Sequence, residues 1–134
     1  MTKLKWWFRI VGAFYLLLTL VNLYGIFINP QFYRDGFGIA NDLALKTFID
    51  AWMAFVMDML VIGAFLLWAS RNPLKHLSVV WFVVWMEVFH GIVDDMFLIA
   101  RGYDATFYTV FSVIHLIIIV TGVMFARQAP KETA

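Results

Sequence analysis

Four apolar runs, each about 20 residues or longer, constrain this chain more than any other feature. They extend roughly over Leu4–Ile28, Leu43–Ala69, Leu77–Ala100 and Ala105–Ala126. At a rise of about 1.5 Å per residue, each can cross a hydrocarbon core of about 30 Å. The chain has 134 residues, 63% hydrophobic and 14% charged, against roughly 45–50% and about 25% in soluble domains. So small a soluble domain could not enclose that much apolar surface. The sequence therefore predicts an all-α integral membrane protein, one domain over residues 1–134 built as an antiparallel four-helix bundle.

The breaks between runs have their own chemistry. Asn29-Pro30 stops the first run, and the Gly-rich, aromatic stretch NPQFYRDGFGIAND suits a connection at the membrane interface. Asn41 or Asp42 is placed to cap the second helix. Asn72-Pro73 and Gly102-Tyr103-Asp104 make the remaining turns. The first run is too long for a signal peptide and lacks an Ala-x-Ala site; its opening KLKWWFR puts basic residues and two tryptophans at the interface level. The polar tail RQAPKETA is expected to be mobile.

Charge excludes some partners and orients the chain. A net charge of +1 with no basic run gives no footprint for nucleic acid. The absence of cysteine removes disulfides, thiol catalysis and Cys-based metal centres. Lys3, Lys5, Arg9, Arg71, Lys75, Arg127 and Lys131 fall on the side of the termini, and only Arg34, Lys46 and Arg101 on the other. The positive-inside rule then puts both termini in the cytoplasm.

The apolar runs carry ionisable residues that a lipid-facing helix would not keep, since an Asp at the bilayer centre costs roughly 2.5–3.5 kcal/mol. In a regular helix, at about 100° per residue, Glu87, His90 and Asp94 lie within about 60° of one another. Asp95 points about 100° away from Asp94, toward the interface near Arg101. Polar or small stripes also run through Gly12, Tyr15, Thr19 and Asn22, through Asp50 and Asp58, and through Tyr108, Ser112, His115 and Gly122. Counting residues from each turn puts Asp58, Glu87, His90 and His115 near one midplane level. Asp50 and Asp94, with Asp95, then form an outer acidic layer. Two histidines against four or five carboxyls leave an excess of acid that protonation or a bound cation must offset.

This centre admits several readings. In the leading one it binds, and is able to act on, a small hydrophobic or aromatic molecule. Asp58, Glu87 and His90 are then the catalytic candidates, and Tyr15, Asn22, Asp50, Asp94, Ser112 and His115 the ligand-binding ones. A non-enzymatic accessory or structural subunit is the alternative, its polar centre serving only to fix packing. Metal ligation would draw on Asp58, Glu87, His90 and His115, starting from the Glu-x-x-His pair at 87 and 90. A haem would take His90 and His115 as axial ligands. An acidic transport path would need a homo-oligomer, because four spans are few for a transporter. The residues do not name a cofactor, and membrane lipids are partners on any reading.

Two segments, KWWFRIVGAFYLLL (5–18) and GIVDDMFLIARGYD (91–104), resemble the BphX-like group of small bacterial membrane proteins, which is associated with biphenyl-degradation gene clusters. In layout the chain is also, more loosely, similar to DoxX-type four-helix proteins. The resemblance implies a bacterial inner-membrane protein of about this size, without assigning an activity or catalytic residues. The expected topology is checked by fusion reporters: a fluorescent protein after Ala134 should be bright, and alkaline phosphatase inserted after Gly36 should be active.

Overall fold

The computed structural model describes residues 2–129, and among these every regular element is helical. The elements are α1 (Thr2–Phe27), α2 (Gln31–Phe37), α3 (Asp42–Ala69), α4 (Leu77–Met86), a π-helical segment (Glu87–Val93), α5 (Asp94–Ala100) and α6 (Ala105–Gln128). Four spans are long and apolar enough to cross a membrane: α1, α3, the continuous stretch Leu77–Ala100, and α6. Part of the tail expected to be mobile, residues 130–134, lies outside the described residues, as does Lys131 of the charge count. Large side chains such as Leu17, Leu20, Val61, Phe82, Val113 and Ile117 are exposed along the spans, the arrangement that hydrocarbon contact favours.

The described residues divide into two compact units, residues 10–68 and residues 2–9 with 69–129. The first contains most of α1 with α2 and α3. Its helices approach closely where Gly12 meets Gly63: a Cβ on Gly12 would lie 3.0 Å from the Gly63 carbonyl oxygen. Such backbone contact between small residues is a common packing device in membranes. Asn41 caps α3 through its side-chain oxygen, which accepts from the Ala44 N–H at 2.9 Å.

The connection before α3 is more ordered than its composition suggests. It contains α2, which ends on Gly38 in the left-handed conformation. Tyr33 on α2 is 1% exposed and belongs to a core with Ile26, Leu45, Val56 and Met59, flanked by Phe37, Phe48 and Trp52. Its hydroxyl donates to Asn22, 2.8 Å from the side-chain oxygen and 3.0 Å from the backbone one. The same Asn22 side-chain oxygen accepts from Trp52 Nε1 at 2.8 Å, and its amide donates to the Leu18 carbonyl at 2.8 Å. One asparagine thus satisfies two aromatic donors from two other helices. Arg34, also on α2, pairs with Asp42 at the start of α3.

The second unit holds the first residues of α1, the third span and α6. Trp6 is exposed, as an interface residue should be, but Trp7 is buried. Trp7 Nε1 donates to Thr121 Oγ1 at 3.1 Å and to the Ile118 carbonyl at 3.3 Å. Gly122 makes room for it, since a Cβ there would lie 2.9 Å from Trp7 Cζ2. Asp104 caps α6, accepting from the Thr106 and Phe107 amides at 2.8 and 3.0 Å.

Replacing Asn22 with Ala should cost about 1–3 kcal/mol, because it strands Trp52 Nε1 while the Tyr33 hydroxyl keeps the backbone carbonyl at position 22, whereas Tyr33→Phe should cost only about 0.5–1.5 kcal/mol. Equilibrium unfolding in mild detergent with added denaturant measures both. Burial also pushes the Tyr33 phenol above its ordinary value. The stability linked to this group is full below the unfolded value of about 10 and declines as pH rises through the folded one. Loss of Tyr33→Phe sensitivity above that range, followed by tyrosinate absorbance, checks the sign.

Candidate functional site

The third span is not a regular helix. At its centre the Asp94 N–H reaches back five residues to the Phe89 carbonyl, the hydrogen-bond spacing of a π-helix. The wider turn changes which residues share a face. In a regular helix Glu87 and Asp95 would lie about 80° apart. Here Glu87, Gly91 and Asp95 are all buried, with Glu87 and Asp95 only 1% and 5% exposed, while His90 and Asp94 are exposed. The expected Glu87–His90–Asp94 face is therefore corrected to Glu87–Gly91–Asp95. Asp95, placed at the interface by regular geometry, faces inward instead.

α6 supplies the opposite wall. Ser112 and His115 lie one turn apart on it, and both reach the buried face of the third span. His115 Nδ1 makes a short hydrogen bond with Glu87 Oε2. Its Nε2 faces Asp95 Oδ2 at 3.9 Å. Ser112 Oγ donates to the same Asp95 oxygen at 2.9 Å. One imidazole thus stands between two buried carboxyl groups, while 17% of its side chain is exposed.

Gly91 allows this approach. A Cβ at that position would lie 2.4 Å from His115 Cγ and 2.6 Å from Nδ1, so any larger residue displaces the ring. The π turn and the glycine act together: one brings both acids to the face, the other lets the imidazole sit between them. π segments of this kind occur often at functional sites.

The other sequence candidates lie elsewhere. Asn22 belongs to the Tyr33–Trp52 network. Tyr15 is half-buried, and its carbonyl accepts from Thr19 at 2.9 Å. Asp50 is exposed and paired with Lys46 at 2.7 Å, one turn away on α3. Asp58 is exposed on α3. Among the described residues no group of three His, Cys, Asp or Glu side chains is arranged to hold a metal ion. Of the His115 ring nitrogens, Nδ1 is engaged by Glu87 and Nε2 lies 3.9 Å from Asp95. A cavity of about 310 Å³, lined by Lys3, Leu4, Leu74, Phe125 and Gln128 among others, does not include the acid–histidine residues. Sequence reasoning placed Asp95 at the interface or in the outer acidic layer rather than beside Glu87's partner, and it missed Gly91. The available signal was the spacing Glu87-x3-Gly91-x3-Asp95, with a small residue between two acids inside an apolar run.

These features define a class: an all-α integral membrane protein with four apolar spans and an imidazole held between carboxyl groups inside one helical hairpin. The chain belongs to the BphX-like family, whose model matches residues 1–131. Comparison with curated proteins and with solved structures gave no match.

Gly91→Ala should destabilise the protein by about 1–3 kcal/mol through overpacking against His115. Combined with His115→Ala, the same change should cost much less, giving a coupling energy of at least about 1 kcal/mol in a double-mutant cycle. Additive costs would show that the ring does not rest on Gly91.

Proposed function

We propose that this chain is a multi-pass protein of the bacterial cytoplasmic membrane, with both termini inside, that binds a small hydrophobic or aromatic molecule at its acid–histidine centre. The observation that carries this reading is the His115 imidazole between Glu87 and Asp95. Two buried acids, one hydrogen-bonded to the imidazole and the other 3.9 Å from it, make a group that can hold a proton and exchange it with a bound molecule. Burial strengthens each of these interactions, because little water is present to screen them. A ligand that reaches such a centre through the bilayer is itself apolar, with a few polar atoms to meet the acids. Glu87 is the group placed to give or take the proton, His115 is its partner, and Asp95 with Ser112 fixes the far side of the ring.

A second reading has a specific observation in its favour. His115 fits against Gly91 without room to spare, as a packing element of an accessory or structural subunit would. Buried polar groups in membranes do join helices, at roughly 0.6–2 kcal/mol per contact.

Stability separates the two. On the ligand-binding reading, Glu87→Gln should leave melting temperature unchanged or raised, because functional sites are commonly held at a cost in stability. It should also abolish the stabilisation of the wild-type protein by an aromatic probe such as naphthalene. On the packing reading, Glu87→Gln lowers stability by about 1–3 kcal/mol and naphthalene stabilises neither protein. Native mass spectrometry of gently purified protein, with a visible spectrum and elemental analysis of the same sample, should find an organic cargo.

A further inference from the structure

The cavity of about 310 Å³ lies where the first turn of α1, the loop before α4 and the last turn of α6 come together. Its lining is of two kinds. Leu4 is buried, and Leu74 and Phe125 are half-buried, so these three form an apolar wall. Lys3 and Gln128 are polar and exposed. Trp6 gives the depth: it is exposed, with the Arg9 guanidinium 5.5 Å from its ring, and marks the interface level. Lys3 is three residues further out along α1, about 4–5 Å, which is the level of lipid headgroups.

Charge at this end is one-sided. Segments 2–9, 70–76 and 123–129 carry Lys3, Lys5, Arg9, Arg71, Lys75 and Arg127 and no Asp or Glu. Along the third span, which starts at Leu77, the first carboxyl is that of Glu87, about 15 Å inward. Glu132, in the tail, lies outside the described residues.

We propose that this cavity is a site for the headgroup of an anionic phospholipid. Lys3 meets the phosphate, Gln128 donates to a phosphate or glycerol oxygen, and Leu4, Leu74 and Phe125 hold the glycerol backbone and the first methylenes. A lysine suits a phosphate as a point charge, and the neighbouring cations add attraction within a Debye length. Basic pockets between membrane helices at this level recognise such headgroups. The volume, at the low end for ligand cavities, admits a headgroup and leaves the acyl chains in the bilayer. The acid–histidine residues take no part, so the inference is independent of what that centre binds.

Native mass spectrometry of the full chain in mild detergent, titrated with dioleoylphosphatidylglycerol or dioleoylphosphatidylcholine, tests the site. Phosphatidylglycerol should bind about fivefold more tightly or better, and Lys3→Gln should weaken it about fivefold while leaving phosphatidylcholine unchanged. Lys5→Gln, the same charge change two residues along α1 and outside the cavity lining, should have much less effect. Leu74→Trp, which fills the cavity with every charge kept, should also weaken phosphatidylglycerol. Equal affinity for the two lipids would overturn the proposal, and equal losses in Lys3→Gln and Lys5→Gln would replace the site with a diffuse field. Displacement of the lipid by excess inorganic phosphate would make a free anion the occupant, and binding only after deletion of residues 130–134 would make it the chain's own tail. Either result contradicts the lipid assignment. If Leu74→Trp fails to fold, the comparison of Lys3→Gln with Lys5→Gln decides alone.

Discussion

Glu87 has to satisfy a carboxyl group at a place with almost no contact with water, and the hairpin of the third and fourth spans is built around that need. Its partner is His115 on α6, and the imidazole can reach it only because position 91 has no side chain. The π turn then brings Asp95 to the other side of the ring, where Ser112 donates to it. An unsatisfied polar group in hydrocarbon costs several kcal/mol, so these residues stand or fall together. In the other unit Asn22 has a comparable part, with two donors converging on one oxygen.

The spans were legible in the sequence because the bilayer leaves few alternatives. A long apolar run has only the helix open to it, and Asn-Pro, Asn-Pro and Gly-Tyr-Asp mark where each run ends. Helix α2 was hidden because its sequence, QFYRDGF, is short and rich in residues that also favour interface loops. What secures it is tertiary: Tyr33 buried against Asn22 and Phe48, which no local pattern reveals. Trp7 likewise read as an interface tryptophan, and its burial depends on a notch at Gly122, far along the chain.

The acid–histidine centre was only half legible. Regular helical geometry selects Glu87 correctly as inward-facing, then drifts, so that it picks Asp94 where the structure buries Asp95. A π turn has no strong sequence signature, and a change in winding over seven residues is enough to exchange adjacent positions. The same exchange places His90 and Asp94 on the outer face. One local irregularity therefore sets both the chemistry inside the hairpin and the character of the surface it presents.

The most direct test of this arrangement is a solid-state NMR measurement on protein in lipid bilayers, with labelled glutamate and histidine. The expected result is a strong dipolar coupling between the Glu87 carboxyl carbon and His115 Nδ1, lost in His115→Ala. A His115 ring without coupling to Glu87 would contradict the account at its centre.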